Sequence, residues 1–367
     1  MTDNKKSPFS ISDSAMNFLK TYLDNPSPVG SESNGQKIWL ENIKNHVDKT
    51  FTDPYGTAVG VINPDNPFKV VIEAHADEIS WFVNYINPEG FIYLVKNGGV
   101  DQQIAPSQRV LIHGKKGPVK AVFGWPAIHT RHGNDDKEQQ PKPENLFLDC
   151  GGRNKKEVEE LGIHVGAVVT YTEGFEEIAY GNLIGRAFDN RVGGFMISEV
   201  ARLLKENKKE LPFGLYIVNA VQEEIGLRGA EMIARRIKPN VAIITDVTHD
   251  STTPMINKNK EGECVCGKGP SLTYGPAVHN KLRDFIEDVA VKNDIPFQLA
   301  AVSRSTGTDT DSFAYANDGC PSALISLPLR YMHTTVEMIN KNDVENTIKL
   351  IYETVCALSP ETNLSYF

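Results

Sequence analysis

Apolar and polar positions along the chain alternate in two different ways. Residues 12–24 repeat at helical spacing, with Ser12 at the N-cap and Asp13 in the first turn, where an acid complements the helix dipole. The stretch Pro26-Ser-Pro-Val-Gly-Ser-Glu32 breaks that helix. A second helix is predicted over 35–47, with Leu40, Ile43 and Val47 on one face and Trp39 beside them. Strand-like runs follow at 57–62 and 70–74. From about residue 80 to 172 the pattern shortens to β pieces at 81–86, 91–95, 108–112, 119–122 and 168–171, separated by Gly and Pro, the mark of a small all-β barrel or sandwich. Inside it, residues 131–144 are too polar to pack and are expected to form a mobile loop. After residue 173 strands and helices alternate again to the end, with helices clearest over 193–205 and 280–293. The expected fold is α/β: a mixed, largely parallel sheet flanked by helices, built from residues 1–79 and 173–367, with an all-β unit inserted at 80–172. No internal repeat or low-complexity tract interrupts this order.

Composition narrows the setting more than the chemistry. The 367 residues suffice for two domains and a sizeable core. No apolar run reaches the roughly 18 residues that cross a membrane, and mean hydropathy is −0.32. The first eight residues, Met1 to Pro8, lack the apolar core of a signal peptide. Five cysteines are scattered apart from Cys264-Val-Cys266, which has neither the spacing nor the second pair of a zinc knuckle; reduced thiols in a cytoplasmic protein are expected. A net charge of −9 and a pI near 5.6 argue against a nucleic-acid partner.

Chemistry concentrates at the ends of the apolar runs. The uncharged run 211–221 ends at Glu223 and Glu224. Two adjacent carboxylates at the mouth of a buried strand repel each other and lose solvation, and a cation compensates best. The run 69–74 delivers His75 and Asp77, the run 240–245 delivers Asp246, and the run 321–327 is followed by Arg330-Tyr-Met-His333. Ligands of open α/β sheets bind outside the carboxyl ends of their strands. Taken singly, Asp77 reads as a loop cap and Asp189 as an N-cap. Together the residues fit a dinuclear site. Asp189 has two oxygens and can bridge ions about 3.5–4 Å apart, with His75 and Asp246 completing one site and Glu224 and His333 the other. Asp77, two residues from His75 in an extended segment, is placed to orient that imidazole. Imidazole and carboxylate donors without thiolate suit zinc, cobalt or manganese. Glu223 is left uncoordinated, as a general base beside an activated water must be.

The segments Ala74-His-Ala-Asp-Glu78, Ala187-Phe-Asp-Asn-Arg191, Val221-Gln-Glu-Glu-Ile-Gly226, Thr245-Asp-Val247, Gly307-Thr-Asp309 and Arg330-Tyr-Met-His-Thr334 resemble the motifs of the M42 metallo-aminopeptidases, some of which carry glucanase or cellulase labels. The resemblance spans essentially the whole chain. It implies a zinc-peptidase-like catalytic domain over 1–79 and 173–367 and an inserted dimerisation domain over 80–172. It implies two divalent ions per subunit, with His75, Asp189, Glu224, Asp246 and His333 as their ligands and Asp77 and Glu223 as the catalytic pair. Short peptides become the expected substrates, and a homo-oligomer, a dodecamer in this family, the expected assembly. Ser80 and Phe188 depart from the usual Gly and Leu, at positions that are not ligands.

Other residues take ordinary readings. His249 and Asp250 are expected in a supporting or loop role, His129 in a structural one, and Asp309 and Asp311 either line the cleft or close turns. Aromatic residues of the insert, Trp81, Phe82 and Trp125, exceed what a unit of its size needs inside and are expected on an interface. Two other functions remain in view: a metal-dependent hydrolase of another amide or of a glycosidic bond, and a non-catalytic scaffold on the same fold. Glycoside cleavage ordinarily uses two carboxylates flanking the bond, and a dead enzyme would lack a ligand or base.

Overall fold

The computed structural model describes residues 7–130, 140–172 and 174–367. Its 11-stranded sheet runs Lys49–Thr52, Ala58–Ile62, Gly214–Ala220, Lys69–His75, Val241–His249, Ser322–Arg330, Glu337–Asn340, Asn182–Gly185, Glu176–Ile178, with Ser271–Tyr274 and Gln298–Ala301 attached beside Ser322–Arg330. The central strands from Gly214–Ala220 to Ser322–Arg330 are mutually parallel, and the flanks are antiparallel. Both faces of the parallel part are covered. Val70, Ile72 and Ala74 pack with Trp39, Phe195, Ile286 and Val355, whereas Val71 turns to a second core with Ala230, Ile233 and Phe313. Strands buried on both faces are mainly apolar and so show in the sequence as apolar runs, here with Glu73, Asn219 and Thr245 as buried polar members.

The helices follow the expected pattern with shifted ends. Ser12 accepts from Ala15 N at 3.2 Å and caps Asp13–Asp24. The second helix is Ser33–Ile43, ending four residues before the expected 47. The helix expected at 193–205 is Phe188–Glu206, but Asp189 and Asn190 keep non-helical backbone angles, so regular helix begins after them. Asn280–Lys292 lies where expected. Arg228–Ile237 and the C-terminal Lys341–Ala357, capped by Asn340, are helices for which the apolar spacing set no range.

The β unit is a closed barrel of Ser80–Ile86, Ile92–Asn97, Phe147–Asp149, Gly117–Phe123, Arg109–Gly114 and Val168–Tyr171. It has its own core. Trp81, expected on an interface, is fully buried there, edge-on to Phe123 with ring centroids 5.6 Å apart, because six short strands enclose space that only a large ring fills. Phe82 is half-buried, and Trp125 packs against the same core. Exposed apolar residues of the unit are instead Tyr85, Phe91, Val95, Val122, Ile128, Leu161 and Val165. Of the polar stretch 131–144, residues 131–139 lie outside the described residues, and Pro143–Asn145 forms a 3-10 turn.

The chain passes from sheet to barrel at Glu78, and that junction is clamped. The Glu78 carboxylate pairs with Arg186 and lies 3.6 Å from Arg191. Burial alone would raise this carboxyl, but the Arg186 and Arg191 charges bring it below its ordinary value. Arg191, wholly buried, also donates to the Leu23, Asn25 and Tyr22 carbonyls. The turn before the second helix is tied in by Ser27 N to Glu78 Oε1 at 2.6 Å and by Glu78 N to Ser27 O at 3.0 Å. The segment carrying His75 and Asp77 and the loop carrying Asp189 are thereby held by one charge network.

Candidate metal centre

The parallel strands bring the five ligand candidates to one place. His75 ends Lys69–His75. Ile244 pairs with Glu73 across the sheet, so Asp246 comes level with His75; it sits inside Val241–His249, a strand that runs on past the expected end at 245. Glu223 and Glu224 lie in a 3-10 turn after Gly214–Ala220, and His333 in the turn after Ser322–Arg330. Asp189 enters from the loop before its helix and stands between the two histidines. Its Oδ1 is 3.2 Å from His75 Nε2, and its Oδ2 is 3.1 Å from His333 Nε2. Asp246 Oδ1 is 3.8 Å from His75 Nε2, and Glu224 Oε2 is 3.3 Å from His333 Nε2.

These spacings fit two small cations. Donors about 2.0–2.1 Å from a tetrahedral ion stand about 3.3–3.4 Å from one another. His75, Asp189 and Asp246 form one group whose donor atoms all lie within 4.8 Å, and Asp189, Glu224 and His333 form another. Glu224 Oε1 is buried without a hydrogen-bond partner, the condition a cation would relieve. Glu223 stands apart from both Asp189 groups. It joins a third with His75 and Glu224, its Oε2 3.7 Å from His75 Nε2.

Charge crowding gives the same account. Burial pushes the Glu223 carboxyl up to about 10 and Asp246 up to about 7, with neighbouring carboxylates adding to the rise in both. Burial and the Asp189 charge also raise Glu224. Burial would lower His333, but its bonds to Asp189 and Glu224 carry it up to about 11. Without cations the cluster balances its charge with protons; divalent ions would replace them and return the carboxylates to their ionised forms.

Groups around the cluster hold its backbone and rings. Asp77 Oδ1 accepts from Glu223 N at 3.0 Å and Oδ2 from Glu224 N at 3.1 Å, so one wholly buried carboxylate straps the paired glutamates. Its Oδ1 is 3.5 Å from His75 Nδ1, but that nitrogen is buried without a hydrogen-bond partner, so the orienting bond expected between the two is not formed here. His333 is oriented by the barrel: its Nδ1 lies 3.2 Å from the Gly99 carbonyl, which directs Nε2 toward Asp189 and Glu224. A side chain at Gly99 would place its Cβ 2.7 Å from that ring nitrogen. The insert, which supplies none of the ligand candidates, therefore touches the site. Glu337 is 2% exposed and receives the backbone N–H of both Asp189 and His333. Burial and the Asp189 charge raise its carboxyl, while the two N–H donors favour the ionised form. Sequence reasoning missed Glu337 and Gly99. Their partners are distant in sequence, and a glycine carbonyl leaves no side-chain signal.

A cleft of about 570 Å³ opens onto the cluster, lined beyond it by Leu227, Val247, Thr248, His249, Thr306 and Met332 among others. Asp311 reaches this cleft, with both oxygens receiving the Thr306 N–H. Asp309 is buried, and burial together with the neighbouring Glu73 carboxyl raises its carboxyl well above the ordinary range; burial likewise pushes Glu73 up to about 8. Asp250 is a supporting group: it fixes Arg330 at 2.7 Å. His129 lies in an exposed 3-10 turn.

The sequence profile of the M42 glutamyl aminopeptidase family matches residues 56–350. The lysyl aminopeptidase of Pyrococcus furiosus is 32% identical over 345 residues, covering 93% of this chain and 97% of that protein. The crystal structure of a TET aminopeptidase from a marine-sediment Thaumarchaeota archaeon superposes with a TM-score of 0.91 at 30% identity, covering 95% of this chain and 98% of that one. The TET1 peptidase of Pyrococcus horikoshii, described as assembling into a tetrahedron or a large octahedral shell, shares the fold at a TM-score of 0.82 and 24% identity, covering 94% of this chain and 100% of its own.

Proposed function

The chain belongs to the M42 glutamyl aminopeptidase family and is a peptide hydrolase, and from that premise we propose that it removes N-terminal residues from short peptides at a dinuclear centre. The observation that carries the dinuclear reading is the division of the Asp189 carboxylate, one oxygen toward His75 and the other toward His333. His75, Asp189 and Asp246 would hold one divalent ion, zinc, cobalt or manganese, and Asp189, Glu224 and His333 the second. Bound there, the ions supply Lewis-acid polarisation of the scissile carbonyl and lower the pKa of a water. Glu223 faces the cleft beside both groups and takes the proton from the attacking water, then returns it to the departing amine. Asp77 keeps Glu223 in place through its backbone. The catalytic unit is residues 1–79 with 173–367, and 80–172 is the inserted barrel.

The test is hydrolysis of free and N-blocked peptides by metal-reconstituted protein. Free peptides should be cleaved one residue at a time from the N-terminus, and blocked ones left intact; cleavage of blocked peptides at internal bonds would reject the aminopeptidase reading. The cleft also bears on the first side chain. Among the described residues that line it there is no Lys or Arg, and the Asp311 carboxylate is present. An acidic side chain would enter without a countercharge, so neutral or basic first residues should be cleaved at least about 10-fold faster than Asp or Glu, roughly 1.4 kcal/mol. Equal rates across the panel would remove this preference.

The barrel is the proposed assembly surface. Tyr85, Val95, Val122 and Val165 are exposed on it, and exposed apolar patches commonly serve as interfaces. A homo-oligomer is expected, with a dodecamer the family form. Light scattering at low micromolar concentration decides it: a stable, fully active monomer would overturn the assembly. Among the described residues, no helix is long and apolar enough to cross a membrane.

A further inference from the structure

The strand Glu337–Asn340 lies between the two segments that lead into Asp189 and His333. On one side Gly185 pairs with Glu337, four residues before Asp189; on the other Arg330 pairs with Met338, three residues before His333. At this fork the Glu337 carboxylate reaches both segments. Its Oε2 accepts from Asp189 N at 3.0 Å and its Oε1 from His333 N at 3.0 Å. Both partners have backbone geometry that nothing regular supports. His333 has φ of 60°, the left-handed region that a side chain disfavours, and Asp189 has non-helical angles inside the first turn of its helix. Each N–H is outside the sheet ladder and would be left unpaired without Glu337.

We propose that Glu337 is a positioning residue for the dinuclear centre. It sets the spacing between Asp189 Oδ2 and His333 Nε2 and so tunes metal affinity at the Asp189–Glu224–His333 group. Asp77 acts in a similar way on the paired glutamates, receiving the Glu223 and Glu224 N–H groups. The two buried carboxylates, neither of them a proposed ligand, thus fix four of the groups that face the cleft. A carboxyl side chain suits this, because each of its two oxygens accepts one of the N–H groups. An amide satisfies one N–H and turns its own NH2 against the other. The inference rests on the reading that these residues hold two ions.

The test is titration of metal-free protein with cobalt(II), followed by calorimetry and visible absorption. Wild type should take two ions; saturation at one would instead reject the dinuclear reading. Glu337→Gln should weaken the Asp189–Glu224–His333 step by about 10–100-fold, the range for changes behind a ligand. Melting of its metal-free form should stay near that of wild type. Glu337→Asp, which keeps two acceptors on a shorter stem, should lie between. Two wild-type affinities in Glu337→Gln would overturn the proposal, as would a metal loss matched by a general loss of stability that Glu337→Asp does not relieve. If Glu337→Gln fails to fold, hydrogen exchange in metal-free wild type decides. Peptides covering 186–190 and 331–336 should each retain a slowly exchanging amide, and exchange at the rate of exposed loops would reject the tether.

Discussion

Glu223→Gln should lower kcat by about 10²–10⁴-fold, the usual worth of a general base, and leave metal content near that of wild type. The amide keeps the shape of the side chain and its place in the turn, since Asp77 binds the backbone N–H of residue 223 and not its side chain. It cannot accept a proton from water. Metal content should hold because Glu223 belongs to neither group that contains Asp189. Its neighbour supplies the control. Glu224 Oε2 is 3.3 Å from His333 Nε2, and its Oε1 is buried without a partner, so Glu224→Gln should lose metal before it loses chemistry. Steady-state kinetics alongside elemental analysis separates the two. If Glu224→Gln kept its metal and Glu223→Gln lost it, the adjacent glutamates would have exchanged roles.

The ligand candidates were legible because parallel strands buried on both faces announce themselves as apolar runs, and chemistry sits at their ends. Glu223, Glu224, His75 and His333 all follow such runs. Asp246 was found although its strand continues through it. The general outline of an α/β sheet with a β unit between its halves was equally visible from the change of period near residue 80. What stayed hidden depends on contacts between distant segments. Glu337 acts on residue 189, 148 positions away, and its apolar-polar surroundings resemble those of any edge strand. Gly99 meets His333 across 234 positions through a carbonyl, which no side-chain pattern records. The aromatic residues of the insert misled for a related reason. Period-2 alternation tells which residues share a face but not that the sheet closes, and closure put Trp81 inside.

Asp189→Asn should reduce metal binding from two ions per subunit to at most one and abolish turnover at metal concentrations that saturate wild type. The argument is geometric and electrostatic. The wild-type carboxylate presents one oxygen to each histidine, at 3.2 and 3.1 Å. Asparagine has a single carbonyl oxygen, so whichever ion it serves, the other faces an NH2 group. It also removes a negative charge shared by both sites. Asp189 holds its ionised form despite complete burial, because its bonds to His333 and His75 outweigh desolvation and keep its carboxyl well below the ordinary range. A group ionised in so dry a place is the one whose charge the cations would feel most. The loss in affinity should therefore exceed the about 10–100-fold that changes behind a ligand produce. Elemental analysis after reconstitution and exhaustive dialysis gives the stoichiometry, and chelation of wild type should reproduce the inactive state reversibly. A variant that still holds two ions would show that Asp189 bridges nothing, and Glu224, which stands in the group with Asp189 and His333 and in the group with His75 and Glu223, would then be the shared ligand.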